Sequence, residues 1–284
     1  MRGDRGVTLL FVLVILALCS AVVVAMVTVS EGSITRSRLY NEATAAGALV
    51  TAGEVTAQIA LRRDLATSAD LDHGGEAWAA YNQADVAIAE GRFSLTIADA
   101  QGRFNLSNLA TEGVVAQTRL ADIVKALDLT PDSAGRIITA MQGSPARMDQ
   151  LRDAAGLSAE DLAKLATMVT LLPSSSSVNV NSAPLALLAV LLKNPLQASL
   201  LVARRSKLGF VTREDVSGLG IVMPAGLGFT SGFFDLTVTA QVGQTVVTET
   251  AVIARGIDPN GLAEALVVVR QFGTGGAERV PSND

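Results

Sequence analysis

The run Val7–Val29, VTLLFVLVILALCSAVVVAMVTV, carries no charged residue, no glycine and no proline over 23 positions. At about 1.5 Å per residue, a helix of that length matches a hydrocarbon core of ~30 Å, so it is long and apolar enough to cross a bilayer once. It follows Met1-Arg2-Gly3-Asp4-Arg5-Gly6. Beyond it, from Glu31 to about Asp64, there is no proline, and the residues are rich in Ala, Leu, Glu, Arg and Gln, which favour helix. Ala43, Ala46, Val50, Gly53, Ala57 and Ala60 recur at spacings of three and four. That pattern predicts a small-residue face on one helix continuing from Val7 to Asp64, roughly 85 Å long.

Composition removes several function classes. The 284 residues carry a net charge of −5 with 17% charged residues, which gives no basic footprint for nucleic acid. Cys19 is the only cysteine and lies inside the apolar run, so the body of the chain has no disulfide and no thiolate metal site. His73, the only histidine, sits in the polar segment Asp70–Gly75 and reads as a solvated loop residue. Hydrolase triads and His-rich metal sites fail on inventory, and there is no P-loop and no nucleophile beside a base. No catalytic residue and no small-molecule substrate are assigned. Asp70, Asp72, Asp99, Asp235 and Asp258 offer oxygen ligands for calcium, but no D-x-D-x-D-G loop exists, so calcium stays unassigned and the expectation is no cofactor and no metal site.

Three readings compete for the N-terminus. A removable signal peptide wants a shorter apolar core, and Val23-Val24-Ala25 offers a fair cleavage site that would leave an amino terminus near Met26. A lipoprotein signal needs a small residue before the cysteine, where Leu18 stands. The third is a retained helix. A short leader with Arg5, then Gly6, then an apolar helix merging into an amphipathic one resembles the type IV pilin-like signal. That resemblance implies that a prepilin peptidase cuts after Gly6 and methylates Val7. It also makes Phe11 the fifth mature residue, where most pilins and pseudopilins have Glu. A carboxylate in hydrocarbon is costly unless it meets a cation. In the family, that Glu pairs with the amino terminus of a neighbouring subunit already in the fibre. The type II secretion pseudopilin expected to lack it is the large minor one, GspK.

The body alternates between two periodicities. After a Trp78–Tyr81 segment, Val86–Ala89 and Phe93–Ile97 read as half-buried strands around Glu90-Gly91. Asp99–Leu109, with Gly102, Arg103 and Asn105, resembles the D-x-x-G-R-x-N-L-N-x-L phrase of GspK proteins. Physically, Gln101-Gly102 is a turn, and Asn105 to Asn108 bond nearby backbone. From about Leu120 to Leu219 the period is helical, with a predicted start at Thr130-Pro131 and caps at Ser158 and Thr212. After the Ser174–Ser177 linker, Val178-Asn179-Val180-Asn181-Ser182-Ala183-Pro184 resembles the V-N-V-N-T-A-P phrase of GspK, with Ser182 predicted to cap a helix holding Pro184 in its first turn. Phe233–Gln241, Thr245–Ala254 and Ala265–Phe272 return to strands.

The same phrase, with Arg204-Arg205 and Glu214-Asp215, also resembles helix-hairpin-helix DNA-binding modules. Lys193-Asn194-Pro195 stands where the first hairpin's glycines should be, and proline removes an amide donor. A membrane-anchored DNA-binding protein of the DNA-uptake kind is therefore the runner-up.

The fold expected is α+β: a pilin-like domain with a long N-terminal helix packed on an antiparallel sheet, and a large all-α, SAM-like or helix-hairpin-helix-like insertion between strands. The chain divides into a leader (1–6), the transmembrane part of the helix (7–29), the rest of the helix with the first strands (30–113), the helical insertion (114–225), the terminal strands (226–273) and a disordered tail (274–284). The resemblance implies a non-enzymatic minor pseudopilin at the tip of the type II secretion pseudopilus. Its partners would be other minor pseudopilins, the pseudopilus shaft, prepilin peptidase and the inner membrane, with no nucleic acid. It would cross the inner membrane once, with the C-terminal domain in the periplasm of a Gram-negative bacterium. Sequencing the mature amino terminus is expected to return N-methylated Val7; an intact Met1 or a start near Met26 overturns the pilin-type reading.

Overall fold

The structure, a computed structural model, describes residues 4–67, 70–89 and 91–276. Helix α1 (Asp4–Thr67) is one unbroken element of 64 residues, so the backbone of Asp4–Gly6 is helical as well. Its Leu9–Val29 part is exposed throughout, and its most apolar window has a mean hydropathy of 3.2. The hydroxyls of Thr28, Thr35, Thr44, Thr51 and Thr56 each donate to the carbonyl four residues back, so these threonines are accommodated without leaving a polar group unpaired.

After a 3₁₀ turn at Ala77–Tyr81, the chain forms β1 (Gln83–Ile88) and β2 (Gly91–Asp99). A second 3₁₀ turn, Ala100–Gly102, leads to β3 (Phe104–Asn105), α2 (Asn108–Thr111), α3 (Val114–Ala126), α4 (Ser133–Met141), α5 (Met148–Ala155) and α6 (Ala159–Ala166). Then come β4 (Val169–Thr170), β5 (Val178–Asn179), α7 (Leu185–Leu191), α8 (Pro195–Leu208), α9 (Arg213–Gly218) and β6 (Leu227–Gly228). The chain ends its described part in β7 (Phe233–Val242), β8 (Thr245–Ile257) and β9 (Ala263–Gly276).

Five strands make one antiparallel sheet in the order β1-β2-β7-β8-β9, and α1 lies across β7, β8 and β9. Ala46, Val50, Ala57, Ala60 and Leu61 pack on Leu95, Ile97, Phe234, Leu236, Val238 and Ile253. Trp78 closes one end with its ring edge-on to Phe234, at 5.3 Å. Gly53 is required by close approach, because a Cβ there would lie 2.7 Å from Val238 Cγ1. Ala43, predicted on this face, is exposed. Burial starts only where the sheet starts, at the Val242-Gly243-Gln244 turn, which grips the helix one residue earlier. The Glu42 carboxylate accepts from the Gln244 amide at 3.1 Å and the Thr245 hydroxyl at 3.2 Å. Strand β1, expected to be half-buried, is mostly exposed, because it lies at the edge away from α1.

The helices build a second core around Leu120, Ile123, Ile137, Leu151, Leu165, Leu187, Leu188 and Leu201. Phe104, Leu106 and Phe229 also belong to it, so the change of core falls before Phe104 and after Phe229, not at 114 and 225. Ser158 caps α6 and Thr212 forms a capping box with Asp215, as predicted. Helix α4 starts at Ser133 rather than at Thr130-Pro131, because the Thr130 carbonyl accepts from the Ser133 amide and closes a turn first. Pro184, not Ser182, is the residue before α7, since the Ser182 hydroxyl is used elsewhere. Strand β9 continues to Gly276, past the boundary at 273; the rest of the predicted tail, 277–284, lies outside the described residues.

Replacing Gly53 by Ala gains about 1 kcal/mol in helix propensity but forces an overpacked contact costing roughly 1–3 kcal/mol. A lower melting temperature of the detergent-solubilised chain is the expected outcome, and an unchanged or higher one contradicts the close packing of α1 on β7.

Candidate functional site

The two phrases singled out in the sequence meet in space. Gly102 lies against Ser182, where a Cβ would come within 2.9 Å of the Ser182 carbonyl oxygen. Asp99, at the end of β2, holds the contact. Its Oδ2 accepts from Ser182 Oγ at 2.6 Å, Ser231 Oγ at 2.7 Å and Asn179 Nδ2 at 2.8 Å, and its Oδ1 from the Gln101 amide at 2.8 Å. Asn179 also donates to the Asp72 carbonyl and accepts from the Asn181 amide. Asn181 bonds Val211 in both directions, at 2.8 and 3.1 Å. Asn105 accepts from the neighbouring Ser107 amide at 3.0 Å, as predicted, and also reaches the Leu172 amide and the Ser174 carbonyl, while Asn108 bonds the Ser176 amide and carbonyl, so distant backbone joins the local partner. Arg103 forms an ion pair with Asp235.

Under this network lies a buried charge cluster. Arg255 donates to Asp64 Oδ2 at 2.7 Å, to Asp72 and to the Ser231 carbonyl at 2.8 Å, and its guanidinium stacks 4.6 Å from the Phe234 ring. The three charged side chains are at most 3% exposed. Asp72 accepts the Ser231 amide at 2.6 Å, and Glu76 beside it accepts the His73 amide and the Trp78 indole. Burial, then the Glu76 charge, pushes Asp64 up to about 6 against the pull of Arg255; burial raises Asp72 in the same way. The cluster ties the end of α1, the 70–76 loop and β8 together. Oxygens of Asp64, Asp72 and Glu76 lie within 4.8 Å of one another, and Arg255 supplies the positive charge there that a cation would otherwise bring. Asp70 is exposed, Asp235 pairs with Arg103 and Asp258 closes its own turn, so the five acids named from sequence do not converge on one point.

Sequence reasoning missed Asp64, Gln101, Ser231 and Arg255. A signal was present for the last: Val247, Glu249, Ala251, Ile253 and Arg255 share one face of β8 by period two, which places two charges on the buried side. His73 is not a freely solvated residue either, since its ring stacks on Phe210 at 4.4 Å. The arginines that a DNA-binding hairpin would turn to phosphate are spent internally. Arg204 pairs with Asp215, and Arg205 donates to the carbonyls of Val180 and Ala183.

No family model matches the chain. The chain is similar to the type II secretion system protein K of Pseudomonas aeruginosa, at 27% identity over 75% of this chain and 76% of the relative. Both findings from sequence and structure point the same way. The chain resembles GspK in sequence and in fold. The solved structure behind the second is a chain of the GspK-GspI-GspJ complex from the type 2 secretion system of enterotoxigenic Escherichia coli, with a TM-score of 0.65, 19% identity, and coverage of 84% of this chain and 99% of that one. That likeness shows the α+β pilin-like fold. The two phrases serve as the joint between sheet and helical insertion.

Arg255→Met strands two buried carboxylates and is expected to cost about 3–5 kcal/mol, read as a large fall in melting temperature. Because the folded state raises Asp64, it binds more protons than the unfolded chain between about 4 and 6, so stability from this group is lost as pH rises through that window. Melting curves of Asp64→Asn between pH 4 and 7 are expected to show a shallower decline than the parent chain; an equal slope overturns the assignment.

Proposed function

We propose that this chain is a minor pseudopilin at the tip of the type II secretion pseudopilus. In this reading it assembles with other minor pseudopilins, initiates or caps the fibre, and promotes export of folded proteins across the outer membrane. The observation that carries it is α1: a single helix whose apolar half is bare and whose other half is the spine of the sheet. Such a helix suits storage in a membrane first and in a fibre later. Phe11, 64% exposed on the bare half, supports the tip rather than the shaft, because a subunit without the carboxylate needs no earlier neighbour to neutralise it. The helical insertion beside the sheet adds bulk that suits an end position.

The partners follow from the related complex, which joins GspK to GspI and GspJ. Carried over, they are the corresponding minor pseudopilins, followed by the shaft. Prepilin peptidase would process the chain at Gly6, and the inner membrane would hold α1 with the body in the periplasm. The role is structural rather than enzymatic, and neither calcium nor another cofactor is assigned to it.

Affinity purification of the tagged full chain from detergent-solubilised membranes is expected to bring down the two minor pseudopilins in a stable complex. Recovery of the chain without them sinks the tip assignment, and salt-dependent retention of duplex DNA instead would favour the DNA-uptake reading.

A further inference from the structure

Glu54 on α1 and Glu249 on β8 face each other beneath the sheet edge, and a single guanidinium, Arg270 of β9, serves both. Its Nε donates to Glu54 Oε2 at 2.8 Å and to Glu249 Oε1 at 2.9 Å, and its terminal amino group also reaches Glu54. The Glu249 side chain is 1% exposed and that of Glu54 10%, while Arg270 is 44% exposed. Gly53 sets the spacing, because it lets α1 descend onto Val238, which pairs with Glu249 across β7 and β8. On the other side, Glu249 pairs with Phe272, whose ring lies 6.0 Å from the Arg270 guanidinium. Among the described residues, the charges meeting here are therefore Glu54 from α1, Glu249 from β8 and Arg270 from β9. β7 contributes an apolar side chain.

Two carboxylates competing for one N–H leave a net negative charge in a site closed to water on the Glu249 side. A bound proton removes it. We propose that Glu54, Glu249 and Arg270 form a proton-operated latch, which holds β9 and β8 tightly on α1 when one carboxyl is protonated and loosens that contact when both are charged. Burial, then the neighbouring Glu54, pushes Glu249 up to about 7, which places the change near neutral pH. The folded state then holds an extra proton between the ordinary glutamate range and about 7, so the contact is firmest at the acid end and weakens as pH rises to 7. Above that it levels off. The latch uses this chain's own residues and stands apart from the tip assignment.

Glu249→Gln keeps a polar group toward both partners but carries no charge, so it imitates the protonated state. Hydrogen exchange of the β9 segment, measured on the full chain in detergent, tests the idea. Taking the parent-to-variant rate ratio at each pH cancels the intrinsic chemistry and the titration of Asp64. The ratio is expected to be near one at pH 5 and to rise by up to roughly tenfold per pH unit to pH 7, then flatten. Glu54→Gln removes the other carboxylate and is expected to give the same rise, which covers the case in which one variant folds poorly. A ratio constant from pH 5 to 8 in the folded variant overturns the latch. So does carboxyl carbon NMR of the parent chain with no glutamate titrating near 7.

Discussion

A guanidinium sealed from water between two carboxylates has little freedom in charge or in position, and Arg255 imposes that constraint on the whole molecule. Its partners come from the end of α1, from the loop after it and from the Ser231 backbone that leads into β7. Each of these segments has to arrive within hydrogen-bond distance or leave an uncompensated charge in a low-dielectric interior. Removing the helix end, the loop or the strand from this arrangement therefore penalises the other two. The long helix is held to its sheet by small-residue packing, and the cluster fixes where along its length the packing must end.

The polar layer above the cluster solves a different problem. Two apolar cores, one on the sheet and one among the helices, meet through backbone segments that belong to no regular ladder. Asp99, Gln101, Asn105, Asn179 and Asn181 supply the donors and acceptors that those segments lack. Amide side chains suit the task because each offers two donors and an acceptor in one plane. Satisfying every partner makes the joint specific, since a shifted domain would leave several buried groups without bonds.

Much of this was legible in the sequence, and the boundary of legibility has a physical cause. The apolar run, the small-residue spacing at Ala46, Val50, Gly53, Ala57 and Ala60, the capping pairs at Ser158 and Thr212, and the alternation of the last strands are local signals, and they gave the helix, the helical unit and the sheet. What stayed hidden depends on long-range partners. Ser182 has the chemistry of a helix cap and spends its hydroxyl on Asp99, 83 residues away. Thr130 and Pro131 have the right order for a helix start, yet a local turn closes first. Asn105 and Asn179 announced themselves as polar anchors, and the alternation of β8 put Arg255 on its buried face, but no local pattern named Asp64 as its partner.

The placement of the helical insertion bears on how the chain reaches this structure. Asp99 and Phe234 are partners in the sheet, with roughly 130 residues of the second core between them. Pairing β2 with β7 through a floppy loop of that length would cost about 4 kcal/mol in closure entropy beyond a constant term. If the helical unit condenses first on its own apolar core, its two ends emerge side by side and the loop becomes effectively short. In that case Asn179 within the insertion and Ser231 just beyond it, both bonded to Asp99, would bring the end of β2 to the start of β7.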